Sequence, residues 1–558
     1  MADPIGIYLC HCGGNISGVV RVHELRERLK GLDGVALVRD YPFMCSDPGQ
    51  ELIRRDLRGG GVRRVLVAAC SPALHERTFM KVLEGEGINP YLYEHVDIRE
   101  GCSWVHPDSE EATSKAYELI RARLERLRKL RPFYPMEHKV VPRVLVIGGG
   151  LAGITAALDV LEAGFGVVLV ERSRELGGWA ARLGRGFLAP LEGFIRQKGE
   201  ALMGHPRLSL YLESEVASLE GFPGDFRATI RTPRGEEVEE VGSVILAVGF
   251  RPFDARKKPE YGYGRFEGVI TTVELEEMLR EGRVPEAQRV AFVHCVGSRD
   301  HQVGNPYCSR VCCTVVAKQA LELKRQRPEA RIYALYMDVR TFGKGYEELY
   351  EEAQRAGVIY IRGNPGEVYP GAGGLRLRYE DTLLGRAREL EVDLVVLAVG
   401  MEPPEGNEAL ARILRVPLDG DGFFLEAHPK LAPLETPVEG VYLAGCCQGP
   451  KDIPDTVSQA HGAALRATQF FHRGRVVKDP LVAEVDPEIC TGCRICEAVC
   501  EFGALHFDPR RRVMTVEEFS CKGCGACAVA CPSGAMSLRR YESQGFLPWM
   551  EALVVGGP

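Results

Sequence analysis

The chain has 558 residues, 26% of them charged, and a formal net charge of −7. At about 100 to 200 residues per domain, that length divides into roughly three to five domains. An acidic balance with no long run of one sign leaves no basic face for nucleic acid. The start MADPIGIYLC lacks the basic and apolar regions of a signal peptide, and the long apolar stretch near 144–170 is interrupted by Asp159, Glu162 and glycines, so we expect a cytoplasmic chain without a membrane span. Nineteen cysteines in a reducing compartment point to metal ligation rather than disulfides.

Residues 1–106 read as an N-terminal α/β domain. Segments 5–9, 25–29 and 35–38 alternate strand and helix signals, a helix begins near Asp47-Pro48, 64–69 reads as a strand, and Ser71-Pro72 opens another helix. Cys10, Cys45 and Cys70 follow successive strands, with Cys12 and Cys102 as further thiols. Strand ends on one edge of a parallel sheet converge, so four of these five thiols are expected to form an iron-sulfur site, with zinc or plain buried cysteine as the alternative. Residues 107–140 follow as a connecting helix and linker, amphipathic over 107–130.

The third segment, 141–478, opens with a strand at 143–147, then Gly148-Gly149-Gly150-Leu151-Ala152-Gly153 and an apolar helical stretch at 154–163; Glu171 closes the next strand. This order places the glycines at a helix N-terminus against a pyrophosphate and sets Glu171 to accept hydrogen bonds from an adenosine ribose. Because Leu176, Gly177 and Gly178 follow the acid, the segment resembles two-dinucleotide-domain flavoproteins of the thioredoxin-reductase type, which implies FAD and two Rossmann subdomains, the second at about 288–400. On the same resemblance, the segments ending at Gly249 and Gly400 are paired crossover strands, and 441–445 returns the chain to the flavin at Gly445. Members of that type carry an aspartate after this glycine. Here Cys446 and Cys447 stand there, as redox-active thiols or as buried unreactive ones. The segment through Asp455 leads into a helix expected at 456–468, whose positive end faces the flavin.

Inside the second subdomain, 289–294 reads as a buried strand. The turn after it, where a pyridine-nucleotide flavoenzyme carries its second glycine loop, instead opens a set of four thiols: Cys295, Cys308, Cys312 and Cys313. Four thiolates are what a 4Fe-4S cluster requires, so we expect electrons to enter here through metal and not through NADPH. The C-x2-C pair of a thioredoxin reductase is absent between 289 and 400.

Residues 479–558 carry the most specific pattern in the chain. Cys490, Cys493, Cys496 and Cys500 recur with the same spacing as Cys521, Cys524, Cys527 and Cys531, the second run followed by Pro532 where the first has Glu501. The pattern matches the bacterial two-cluster ferredoxin, in which three cysteines of one run are joined by the last of the other. That match implies one cluster on Cys490, Cys493, Cys496 and Cys531 and a second on Cys521, Cys524, Cys527 and Cys500; a structural zinc pair is the alternative.

Three passages together resemble the iron-sulfur flavoproteins that form the A component of heterodisulfide reductase: Cys10-His11-Cys12-Gly13 with Cys45-Ser46-Asp47-Pro48-Gly49; Cys295 to Arg299 with Tyr307 to Cys313; and Ala444 to Asp452. The resemblance implies an FAD-containing electron-transfer subunit with four 4Fe-4S clusters, acting in flavin-based electron bifurcation or confurcation. It further implies B- and C-type partner subunits that carry the disulfide chemistry, a hydrogenase, formate dehydrogenase or ferredoxin as donor or acceptor, and a homodimer within a larger complex. It also singles out Lys318 as a residue near the flavin N5, against the alternative of a solvated lysine. Larger members insert a second ferredoxin unit in the flavin domain, and this chain runs from 210–230 into the next strand without one. A non-bifurcating relay protein and a self-contained NAD(P)H-dependent disulfide reductase are the rival readings.

Overall fold

Uninterrupted apolar runs, not alternating ones, set the architecture. The strands Ile5–Cys10 and Arg64–Ala69 are buried along almost their whole length, which suits a parallel strand with both faces covered by helices. The structure, a computed structural model, describes residues 3–183 and 192–554. Its contacts divide the chain into two compact units, Met1–Glu137 with Val477–Pro558, and His138–Val476.

In the first unit a four-stranded sheet runs in the order Val35–Tyr41, Ile5–Cys10, Arg64–Ala69, Tyr93–Asp97. All its pairs are parallel, so the strand C-termini share one edge. Helices Asp47–Arg58 and Pro72–Gly85 begin close to their expected starts. Ser71 caps the second as expected; the first is capped by Ser46, whose extended backbone lets its hydroxyl accept from the Gly49 N–H and leaves Asp47 in the first turn. Helix Ser109–Lys129 buries Ala112, Ala116, Ile120 and Leu124 in the same core as the sheet. The chain's last part adds two antiparallel pairs, Ala483–Val485 with Met536–Leu538 and Leu505–Asp508 with Val513–Val516.

The second unit contains two five-stranded parallel sheets. One runs Val441–Leu443, Ser243–Leu246, Arg143–Ile147, Gly166–Val170, Leu208–Tyr211; the other runs Val269–Thr271, Leu394–Val399, Arg289–Val296, Arg331–Tyr336, Ile359–Arg362. Two chain crossings connect them, and these pair as the short antiparallel ladder Arg251–Pro252 with Met401–Glu402, directly after Gly249 and Gly400. The α/β class and the two Rossmann-like halves expected from the sequence are therefore present. Among the described residues no helix is long and apolar enough to cross a membrane.

The third glycine of the first loop is the tightest point of this unit. A Cβ on Gly153 would lie 1.8 Å from the Gly148 carbonyl oxygen, whereas one on Gly150 meets nothing within 4 Å. Gly153→Ala should therefore cost about 1–3 kcal/mol in urea unfolding, while Gly150→Ala stays within about 0.5 kcal/mol of wild type; equal effects would show that helix–strand packing does not fix this glycine.

Candidate cofactor and cluster sites

The glycine loop is held open from both sides. Gly148 takes φ +107, a region that excludes most side chains, and its N–H donates to the Val170 carbonyl at 2.8 Å. Gly150 is the N-cap of helix Leu151–Glu162 and supplies no side-chain cap, so the first-turn N–H groups face outward for an anion. Glu171 accepts from the Gly149 N–H at 2.6 Å and from the Ser173 N–H at 2.8 Å. Gly177 donates to the Gly149 carbonyl at 2.7 Å, and a Cβ on Gly178 would lie 3.2 Å from the Gly150 Cα. Thus Gly148, Gly150, Gly153, Glu171, Gly177 and Gly178 meet in one cradle. Gly445, at φ +74, closes against it: a Cβ there would sit 2.9 Å from the Ala152 Cβ. Sequence reasoning missed Trp179, which follows Gly178 and stacks on Phe250, next to Gly249, with ring centroids 6.2 Å apart; a tryptophan after paired glycines, in a chain with three tryptophans, was the available signal.

Beyond Gly445 the helix begins at Ile453, three residues before its expected start, because Asp452 caps it by accepting from the Asp455 N–H at 2.9 Å and Pro454 occupies the first turn. Asp455 in turn receives the Arg310 guanidinium at 2.6 Å. Both cysteines here are buried. Cys446 donates to the Lys451 carbonyl at 3.5 Å, and Cys447 donates to the Leu246 and Ala444 carbonyls at 3.1 and 3.3 Å. Burial pushes the Cys447 thiol up to about 12.

Cys295 lies near the end of strand Arg289–Val296 at φ +58, a left-handed conformation rare for a side-chain residue. The ladder to Leu394–Val399 shifts register between Val293 and Val296, which re-aims the strand end as bulges do. Arg299 and Arg310 are also left-handed, at φ 56 and 65, and Cys312 and Cys313 open helix Cys312–Gln326. These turns bring Cys295, Cys308, Cys312 and Cys313 onto one small cavity, shared with Arg299, Arg310, Arg340 and Asp338. Burial, reinforced by the neighbouring thiols, raises Cys295 to about 12 and Cys312 well above the usual range. Such thiols remain protonated at neutral pH unless a bound cation displaces the proton. The three arginines were not singled out from the sequence, although Arg299 and Arg310 stand within the cysteine passages.

The other thiols sort by position. Cys500 joins Cys521, Cys524 and Cys527 around one small cavity, three thiols of one run with the last of the other. Cys496 interacts with Cys493 and Cys531, and the Cys490 sulfur accepts from the Met514 N–H at 3.4 Å. At the N-terminal sheet edge Cys10 interacts with Cys12 and Cys45, and Cys70 with Cys10 and Cys12; Arg99 donates to the Cys12 sulfur at 3.1 Å. Cys102 stands apart, donating to the Ala112 carbonyl at 3.1 Å with Lys115 and Asp97 as its charged neighbours. Lys318, on the helix that Cys312 and Cys313 open, is not a solvated lysine: it pairs with the buried Glu276 at 2.5 Å, and Glu276 also accepts from Gln319 at 2.9 Å. Among the described residues, no three His, Cys, Asp or Glu side chains are placed to hold a single metal ion.

A model of the pyridine nucleotide-disulphide oxidoreductases matches residues 142–464, and one of the 4Fe-4S dicluster domains matches 489–535. Together with the glycine cradle and the grouped thiols, these matches define an iron-sulfur flavoprotein oxidoreductase. Methanopyrus kandleri has two CoB–CoM heterodisulfide reductase iron-sulfur proteins of the A type: the first is 41% identical over 99% of this chain and 97% of its own length, and the second is 40% identical over 90% of each. The chain belongs to the family of heterodisulfide reductase iron-sulfur A subunits. The A component of the H(2):CoB-CoM heterodisulfide,ferredoxin reductase of Methanothermobacter marburgensis is 39% identical over 91% of both chains. A thioredoxin reductase structure from T. acidophilum overlays 59% of this chain and 99% of its own at 17% identity and TM-score 0.43.

The raised Cys447 thiol gives a pH signature. Its ordinary value is 9.0 and its folded value about 12, so the unfolded chain loses this proton first and the thiol's contribution to stability drains away as pH rises through that window. At pH 9 iodoacetamide should leave Cys447 unmodified in the folded protein and alkylate it after urea unfolding, as read by peptide mass spectrometry; rapid labelling of the folded protein would contradict its burial.

Proposed function

We propose that this chain is the electron-distributing component of a heterodisulfide-reductase-type complex, performing flavin-based electron bifurcation or confurcation. FAD is held by Gly148, Gly150, Gly153, Glu171, Gly177, Gly178, Gly249 and Gly445, with Cys446 and Asp455 on the returning segment. The fit rests on the cradle: the space left open at Gly150 and the uncapped helix N-terminus suit a pyrophosphate. We assign four 4Fe-4S clusters to Cys295, Cys308, Cys312 and Cys313; to Cys490, Cys493, Cys496 and Cys531; to Cys521, Cys524, Cys527 and Cys500; and to Cys10, Cys12, Cys45 and Cys70, leaving out Cys102 because its neighbours are Ala112, Lys115 and Asp97 and not the other thiols. When bound, the flavin exchanges electron pairs for single electrons and the clusters carry single electrons.

The observation that carries this reading is the cavity at the end of strand Arg289–Val296, where four thiols meet in place of a glycine loop. A ligand of a doubly wound sheet sits at the carboxyl ends of its strands, so the residues offered there decide what binds. This chain offers sulfur and guanidinium. Glu276 fixes the Lys318 ammonium, which we place near the flavin N5 as a proton donor or counter-charge. Partner subunits of B and C type would carry the disulfide chemistry, with a hydrogenase, formate dehydrogenase or ferredoxin exchanging electrons with the complex, a homodimer at its centre, and the cytoplasm as its location. The names of the relatives support the coupling, since the M. marburgensis protein is named for hydrogen, heterodisulfide and ferredoxin together. The first M. kandleri protein aligns over 653 positions, more than the 558 residues of this chain, so this chain lacks segments of that relative. The path such segments provide would fall here to a partner.

Anaerobically purified protein should hold about sixteen irons, four per cysteine tetrad. Cys308→Ser and Cys70→Ser should each lose about four of them, while Cys102→Ser keeps all. Cys308→Ser should also abolish flavin reduction by the physiological donor. Unchanged reduction kinetics, or rapid bleaching of the wild-type flavin by NADPH, would remove this site from the electron route.

A further inference from the structure

The cavity of Cys295, Cys308, Cys312 and Cys313 has a second set of residues whose role the fold does not require. Arg340 follows strand Arg331–Tyr336. Arg340 lines the same cavity as Cys308 and Cys313, close enough for its charge to act on both thiols. Asp338 holds that guanidinium at 3.1 Å and the Arg299 guanidinium at 2.6 Å, so one carboxylate brackets two cations on the same cavity. Arg310 adds a third cation, paired with Asp455, while its own N–H donates to the Cys308 sulfur at 3.4 Å. Three guanidiniums therefore face two carboxylates, and the surroundings of these sulfurs carry an excess positive charge. At the N-terminal thiols the Arg99 cation is matched by Glu100 at 2.7 Å.

We propose that Arg340, positioned by the carboxylate it shares with Arg299, sets the reduction potential of the mid-chain iron-sulfur centre and biases that centre toward accepting an electron. The proposal rests on the assignment of a cluster to these four thiols. Its physics is direct. Taking up one electron adds one negative charge to a thiolate-bound centre, and cations and N–H donors at the sulfurs favour the more negative state. Arg340 is about half exposed, so solvent screens its long-range Coulomb effect and its bias comes from its short-range place beside Cys308 on the cavity wall. A positioning role of this kind makes Arg340 distinct from the ligands, which hold iron, and from Lys318, which we place at the flavin.

The test is an anaerobic redox titration of the holoprotein followed by electron paramagnetic resonance, in wild type, Arg340→Met and Arg340→Lys, with iron counted in each. In Arg340→Met a single one-electron component should become harder to reduce by at least tenfold in its equilibrium constant, about 59 mV for one electron, with the other components, the flavin and the iron count unchanged. Arg340→Lys, which keeps the charge but not the fork, should fall between the two. The proposal is overturned if no component moves, if the lysine and methionine variants move equally, or if Arg340→Met loses about four irons, the content of one cluster, which would make Arg340 a structural support. Equal iron in wild type and Cys308→Ser would defeat the cluster assignment itself, a failure separable from a cluster that is present but indifferent to Arg340.

Discussion

Everything in the second unit turns on how strand Arg289–Val296 ends. A parallel strand buried on both faces delivers its last side chains to a fixed place, and in doubly wound sheets that place binds the ligand. Here the register slips before Val296 and Cys295 adopts a left-handed backbone. Strain of this kind persists where the surroundings over-determine it. The result is that a thiol, and not a phosphate-binding N–H, points into the cavity, and the helix that would present its N-terminus to a nucleotide begins instead with Cys312 and Cys313.

That exchange changes the electrostatics of the whole subdomain. A dinucleotide site needs open backbone N–H groups and close approach, which the first sheet keeps at Gly148, Gly150 and Gly153. The second sheet replaces them with sulfurs ringed by Arg299, Arg310 and Arg340, two of them tied together through Asp338. Through Arg310 and Asp455 the same ring reaches the helix Ile453–Thr468 that follows Gly445. On the proposed assignments one unit carries two ligand sites of opposite character on related scaffolds, joined by the Arg310–Asp455 ion pair.

Much of this was legible in the sequence because the decisive signals are short and local. The glycine spacing, the repeated cysteine runs and the apolar strands each depend on neighbours in the chain. What the sequence did not give was anything set by long-range closure. Five N-terminal thiols are equivalent as letters; only the parallel order of the four strands gathers Cys10, Cys12, Cys45 and Cys70 and leaves Cys102 against Ala112. Arg340 lies far from any cysteine in sequence and reaches Cys308 only because Arg331–Tyr336 pairs beside Arg289–Val296. Lys318 reads from the sequence as one helical turn past Cys313, but its partner Glu276 comes from another helix. The helix at Asp452 begins early because Asp452 caps it and proline is tolerated in a first turn.

The central claim is that a thiol-bound iron centre occupies the position a nicotinamide dinucleotide takes in related folds. Diffraction from anaerobically grown crystals, recorded on both sides of the iron absorption edge, tests it most directly. The account predicts an anomalous peak enclosed by Cys295, Cys308, Cys312 and Cys313. A map with no iron signal there, and a nicotinamide dinucleotide lying against Arg299 and Arg340, would contradict it.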